Sequence, residues 1–475
     1  MHDTPSPDDR GLFAPGRASA SVGALALISL LAFEALAVAT AMPAVADALG
    51  GLSLYALSFG GMVATSALGM VWAGPLCDRR GPWRATVLGL VFFTAGLLLA
   101  GGAGSMAGVA AGRVVQGLGS GLLGVALYVG MGRVVPPALH PRLFALFAAA
   151  WVLPGLVGPA LAAALVHSLG WRAVFLAVAA LVPVAGLLLR PAFAPLAPHP
   201  APTEAASPTP SLGALAWAAL AAAGALALHE AGSGPLNPPR ALALGAAGGA
   251  VLLGAWRLLP QGSLQARAGL PAVIAVRAVL AAAFAGAEAF LPLLLTREAG
   301  WSLAQTGLAL SLGAVTWSLG SQCQARLKAP ATRRRGLGAG LLSVAAGLGL
   351  VMAATAGLGP WGWLLPGWAA AGFGIGLGFP MLSVLTLQLA APEAQGRAAS
   401  ALQLGDALAC STTLALAGVL FNAAGSAGRP AFLAVLGLCA GLALLGAALA
   451  PRAFAVAQGA PGNCTTGPAT GVPGG

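Results

Sequence analysis

Gly74-Pro75-Leu76-Cys77-Asp78-Arg79-Arg80-Gly81-Pro82-Trp83-Arg84 is a short polar passage between two long apolar runs. Charged residues make up only 7% of the 475-residue chain. An acid and three arginines crowded into 78–84 therefore mark a loop at a membrane boundary, where charge stays hydrated.

The rest of the chain supports a membrane setting. It is 58% hydrophobic, with 69 glycines and a mean hydropathy of +0.89, too apolar for a soluble protein of this length. A spanning helix needs about 20 apolar residues. Spans are expected at about 21–46, 53–76, 84–104, 107–132, 142–167 and 171–190, then two Ala-rich ones at 212–229 and 240–259. Six more follow at 271–295, 302–325, 336–357, 361–388, 398–422 and 430–451. The expected fold is an all-α integral membrane protein of fourteen transmembrane helices: two six-helix bundles around a central cavity plus two extra central helices.

The domain plan follows from these spans. Residues 1–20 form a polar tail, 21–190 the first bundle, 191–211 a Pro/Ala/Ser/Thr-rich linker, 212–259 the extra pair, 260–452 the second bundle and 453–475 a disordered tail. The first apolar stretch is too long for a cleaved signal peptide and is expected to remain as the first helix.

Basic residues orient the chain. With the amino terminus inside, eighteen fall on the cytoplasmic side, among them Arg79, Arg80, Arg84, Arg133, Arg190, Arg267, Arg277 and Arg452. Four fall outside (Arg172, Arg240, Arg297 and Arg429), and Arg113 lies within a span. Both termini are expected in the cytoplasm and the protein in the inner (plasma) membrane. The formal charge of +11 serves orientation here, and nucleic acid is not an expected partner.

The opening loop resembles the G-x-L-a-D-R-x-G-r-k passage between helices 2 and 3 of the major facilitator superfamily. Gly74, Leu76, Asp78, Arg79 and Gly81 match, and the last basic residue arrives late as Arg84. An Asp at a helix end can hold a neighbouring helix or an arginine only while the inner ends of the two halves are together. Gly74, Asp78, Arg79, Gly81 and Arg84 are the candidate conformational latch for an outward-open state. Orientation alone is the plainer reading of the arginines.

Three further passages resemble the same superfamily. Gly112-Arg113-Val114-Val115-Gln116-Gly117-Leu118-Gly119 is similar to its R-x-x-Q-G-x-G pattern, and helical spacing puts Arg113 and Gln116 on one face. Arg113 either faces protein or water, or snorkels to the outer interface. Pro154, Gly155, Gly158 and Pro159 keep part of the G-x-x-x-G-P-x-x-G-G antiporter motif, whose closing glycines are here Ala162 and Ala163. That motif implies a bent, tightly packed helix and points to export, though close packing alone also explains it. Phe33-Glu34 through Pro43 resembles the L-D-x-T-x-V-N-x-A-L-P passage of fourteen-helix drug/proton antiporters, with Glu34 at the acidic position.

Glu34, Glu288 and Asp406 are the acids expected well inside spans. A lipid-facing acid or base at the bilayer centre costs about 2.5 to 3.5 kcal/mol on insertion scales, so each should face a cavity or a partner. With Arg113 and Gln116 they are the candidate proton-coupling or substrate-binding residues.

An internal repeat is also expected, with Gly74–Asp78 echoed by Gly320-Ser321-Gln322-Cys323-Gln324, and Pro136, Pro137 and Arg142 by Pro392, Glu393 and Arg397. His140, His167 and His229 read as interfacial or loop residues without metal spacing. The five cysteines form no framework, and no phosphate-binding loop or nucleophile elbow appears.

The expected protein is thus a secondary transporter and not an enzyme. It takes no metal and no cofactor, has a small-molecule substrate, protons and the lipid bilayer as partners, and works as a monomer. The resemblance implies proton-coupled efflux of lipophilic or cationic compounds. Uptake of a small metabolite and an integral-membrane transferase are the alternatives, the latter disfavoured by the lack of a D-x-x-D cluster.

Overall fold

The computed structural model describes residues 11–14, 17–136, 139–196, 212–234, 237–327, 329–391, 394–425 and 428–455. Arg10, Pro137, Lys328, Pro392, Glu393, the linker beyond 196 and the tail beyond 455 lie outside the described residues, as does Cys464. The ordered elements are helices: α1 (Ala18–Leu49), α2 (Tyr55–Arg80), α3 (Pro82–Gly101), α4 (Met106–Val134), α5 (His140–Ala149), α6 (Val152–Leu169), α7 (Arg172–Leu187) and α8 (Arg190–Phe193). After the linker come α9 (Leu212–Ala231), α10 (Pro238–Leu258), α11 (Leu270–Arg297), α12 (Leu303–Ala325), α13 (Pro330–Thr355), α14 (Leu364–Leu389), α15 (Gln395–Ala423) and α16 (Arg429–Ala453).

Twelve helices among the described residues are long and apolar enough to cross a membrane, so the chain is a multi-pass membrane protein. Two of the fourteen expected spans fall short of that measure. The sixth is α7, of 16 residues, followed by the separate turn of α8. The tenth is α12, whose Gln305, Thr306, Ser311, Thr316, Ser318, Ser321, Gln322 and Gln324 lower its hydropathy.

The fifth span is not one helix. It breaks at Ala150-Trp151 into α5 and α6, and Pro154 explains where. Proline has no N–H to offer the carbonyl four residues earlier, which is that of Ala150. Ser29 of α1 donates its hydroxyl to that carbonyl instead, at 3.1 Å. The interruption therefore precedes the Gly/Pro motif.

Small residues set the tightest packing. On the α2–α4 seam a Cβ at Gly117 would lie 2.1 Å from the Met62 carbonyl oxygen, one at Gly121 2.1 Å from that of Ser66, and one at Gly69 2.4 Å from that of Leu118. The α12–α14 seam repeats the arrangement: Gly372 on the Gly313 carbonyl (2.4 Å), Gly376 on that of Trp317 (2.1 Å) and Gly320 on that of Phe373 (2.2 Å). Such backbone approach is how membrane helices gain packing energy without a hydrophobic driving force.

These seams correct the register of the repeat. Gly320 occupies the place of Gly69, not of Gly74, so the Gly320–Gln324 echo is five residues out of step.

The halves meet through α2 with α15, α6 with α12, and α1 with α11. Polar contacts between them gather at the end of the helices opposite the Arg79–Arg84 loop. Arg297 pairs with Asp47, Tyr55 donates to the Ala289 carbonyl at 3.0 Å, and Asn422 donates to those of Ser53 (3.2 Å) and Gly232 (2.9 Å). Deeper along the same seam, the Ser411 hydroxyl donates to the Gly60 carbonyl at 3.0 Å. The extra pair α9–α10 packs on that seam, with α9 against both α2 and α15.

Candidate functional site

Glu34 lies midway along α1 and Arg113 eight residues into α4, in the turn before the glycine seam. Gly117 and Gly121 draw α4 onto α2, and the side chain one turn earlier is aimed past α2 at α1. Arg113 is 3% exposed, and Glu34 and Gln116 are fully buried.

One guanidinium joins three helices. Its Nη1 donates to Glu34 Oε1 and, at 2.7 Å, to Gln116 Oε1, while its Nε donates to the Ser58 carbonyl of α2 at 3.0 Å. Arg113 does not snorkel; a guanidinium so enclosed needs its charge met locally. Glu34 Oε2 and Gln116 Nε2 are buried and have no hydrogen-bond partner among the described residues. Leaving such atoms unmet costs about 1 to 3 kcal/mol each.

The Gly/Pro motif stands beside it. Gly158 faces the ring of Phe33, the neighbour of Glu34, at 3.3 Å from an added Cβ. Gly155 faces Ala314, and the Pro159 carbonyl faces Gly307, both on α12. Pro154, Gly155, Gly158 and Pro159 are all buried, on a helix that touches α1 and α12 together.

A second ionic cluster sits in the other half. Arg277 Nε donates to Asp406 Oδ2 at 2.9 Å, its Nη1 donates to the Ser383 hydroxyl, and its guanidinium carbon lies 3.8 Å from the centre of the Phe379 ring. Asp406 Oδ1 is buried without a partner among the described residues.

Sequence reasoning set Arg277 among the orienting residues, but the structure places it inside α11, 8% exposed, as the partner of Asp406. The missed signal was its depth, as the seventh residue of the expected 271–295 span.

Glu288 is apart from both clusters. It is half-buried on α11, with no ion pair or hydrogen bond among the described residues. The sequence candidates thus fall into three places: Glu34 with Arg113 and Gln116, Asp406 with Arg277, and Glu288 by itself.

The loop residues lie at the far end of α2. Asp78 is 3.6 Å from Arg133 of α4, in its own half, and does not cross to the other. Arg79, Arg80 and Arg84 are exposed, Gly74 has open space around it, and Gly81 takes a φ of +81°.

His229 also departs from expectation. It is not interfacial but 5% exposed on α9, its ring pressed on Gly60 of α2, where an added Cβ would lie 2.1 Å from Nε2. Among the described residues no group of three His, Cys, Asp or Glu is arranged to hold a metal ion.

A sequence profile described as Major Facilitator Superfamily matches residues 22–356. Similar proteins include Multidrug resistance protein 3 of Bacillus subtilis (strain 168), 30% identical over 154 residues, which are 32% of this chain and 30% of that protein. Multidrug transporter protein MdtP of the same organism is 32% identical over 152 residues, 31% of this chain and 28% of that one. The alignments thus span less than a third of these relatives. Among solved structures, an auto-inhibited POT family peptide transporter superposes with a TM-score of 0.68 at 18% identity, covering 94% of this chain and 98% of that one. The human organic anion transporter MFSD10 (TETRAN) gives 0.61 at 17% identity, covering 92% and 100%. At such identities the likeness establishes the fold alone, and the matched proteins are transporters, not enzymes.

Proposed function

The chain belongs to the Major Facilitator Superfamily, and from that premise we propose that it is a proton-coupled antiporter exporting small lipophilic or cationic compounds by alternating access. The observation that carries this reading is the buried Glu34–Arg113–Gln116 cluster on α1 and α4. The multidrug names of two similar proteins support the substrate class.

The chemistry follows from the donor set. While Glu34 is ionised, its negative charge meets the guanidinium and the cluster is neutral. A proton on Glu34 removes that attraction and leaves a buried positive charge on Arg113, which favours a different arrangement of α1 and α4. Proton binding and helix position are then linked in one switch. A proton entering down 100 mV contributes about 2.3 kcal/mol.

Glu288 supplies substrate preference. Glu288, with no partner among the described residues, is placed to meet a cationic group. The Arg79–Arg84 end faces the cytoplasm by the positive-inside bias, with both termini on that side in the plasma membrane. With Arg297–Asp47 tying the outer ends and Asp78 held within its own half, the conformation is closed outward. The latch then engages when the inner ends meet. The protein acts as a monomer.

Transport of a fluorescent lipophilic cation into proteoliposomes under an imposed pH gradient tests the reading. Wild type should accumulate the dye, and Glu34→Gln should lose gradient-driven accumulation. Equal accumulation by both, with the same pH dependence, would overturn the coupling role.

A further inference from the structure

The arginine loop holds more than the proposed latch requires. Asp78 is taken by Arg133, but Arg79, Arg80 and Arg84 enter no ion pair among the described residues. With Trp83 and the segment Ala194–Leu196 they line a cleft of about 300 Å³. A second cleft of about 490 Å³ shares Arg80, Trp83 and Arg84, and its remaining walls are Leu76, Val87 and Leu88.

The polar cleft has a fixed back wall. Gly81, at positive φ, lets the α2–α3 turn approach the Leu196 carbonyl so closely that an added Cβ would lie 2.9 Å from it. Phe193 is wholly buried and pins α8 onto α4, where a Cβ at Gly130 would strike its ring at 2.3 Å.

The apolar cleft runs along the helices. At 1.5 Å per residue, Leu76 lies about 6 Å deeper in α2 than Arg80, and Leu88 about 6 Å deeper in α3 than Arg84. Cationic groups at the membrane boundary thus open onto an aliphatic groove, with the half-buried indole of Trp83 between them.

We infer that this double cleft binds an anionic phospholipid, its phosphate among Arg79, Arg80 and Arg84 and one acyl chain along Leu76, Val87 and Leu88. Guanidinium groups match phosphate oxygens in charge and geometry, and basic clusters beside a bilayer attract anionic lipid. A free phosphate would use the arginines alone. The aliphatic compartment is what selects a lipid.

Native mass spectrometry of the full-length protein in detergent, titrated separately with phosphatidylglycerol, phosphatidylcholine and glycerol phosphate, tests this. One phosphatidylglycerol should bind on the order of tenfold more tightly than phosphatidylcholine, and equimolar glycerol phosphate should not displace it. Arg79→Gln/Arg80→Gln/Arg84→Gln should bring both lipids to the same affinity, while the corresponding triple lysine variant keeps the preference. Val87→Ser/Leu88→Ser should weaken phosphatidylglycerol without helping glycerol phosphate. Should the triple glutamine variant aggregate, the three single replacements are read instead, and each should lose part of the preference. Unchanged preference in the glutamine variants, or displacement by equimolar glycerol phosphate, would overturn the inference.

Discussion

The two halves share a glycine seam and place opposite chemistry beside it. Four residues before Gly117 stands Arg113, bound to Glu34 on the first helix of its half. Four residues before Gly372 stands Trp368, stacked at 4.8 Å on Phe284 of the first helix of the other half. One position carries a buried ion pair, and its counterpart carries a stacked aromatic pair. The second half keeps its ion pair elsewhere, on α11 and α15. The repeat therefore supplies the backbone frame, while the side chains set on it differ between the halves.

The seam itself gives the largest expected effect. Gly117→Leu and Gly372→Leu each drive a side chain into backbone at about 2.1 to 2.4 Å, and both should abolish a monodisperse peak in size-exclusion chromatography. Recovery of either as stable, folded protein would break the equivalence of the seams.

Next is the switch against its aromatic counterpart. Arg113→Ala leaves the Glu34 carboxylate buried without its partner, a loss of about 3 to 5 kcal/mol that should appear as a lower melting temperature. Trp368→Ala should cost a similar amount, about 3 to 5 kcal/mol, by creating a cavity. The two should separate in a second replacement: adding Glu34→Gln should restore part of the stability lost in Arg113→Ala, because no lone charge then stays buried, and none of that lost in Trp368→Ala. Equal responses of the two backgrounds would remove the contrast.

The Arg277–Asp406 pair sharpens the comparison. Arg277→Gln should lower stability more than Arg277→Gln/Asp406→Asn, because the double variant buries no lone charge. Thermal melts in one detergent compare them directly. If the double variant is the less stable by the full sum of the single effects, the pair is not coupled.

The smallest effect belongs to Arg297–Asp47. Both side chains are partly exposed, and such pairs contribute about 0 to 1 kcal/mol. Asp47→Asn should leave the melting temperature within a degree or two of wild type. It should shift the distance distribution between spin labels at the ends of α1 and α11 that carry Asp47 and Arg297 toward separation. A large fall in melting temperature would mean that this pair holds the fold and not a state.

Much of this was legible in the sequence. The apolar runs located most helices to within a few residues, and the rule that membrane-buried charge needs a partner selected Glu34, Arg113 and Asp406, while Glu288, selected by the same rule, has no ion pair among the described residues. The break at Ala150 was not legible because Pro154 acts on a carbonyl four residues back, and Ser29, more than 100 residues away, satisfies it. Arg277 was hidden by a rule that counts basic residues near span ends and does not ask what they face. His229 was hidden because its burial comes from Gly60 on a distant helix. The repeat register was misread at Gly74–Asp78, where loop letters were matched, whereas the equivalence resides in small residues that touch backbone.

The central claim is that protonation of Glu34, in a pair with Arg113, couples the gradient to transport. The most direct measurement follows gradient-driven accumulation and gradient-free exchange of one labelled substrate in the same proteoliposomes, for wild type and Glu34→Gln. Accumulation lost with exchange retained is the predicted result. A Glu34→Gln protein that accumulates substrate as wild type does would contradict it.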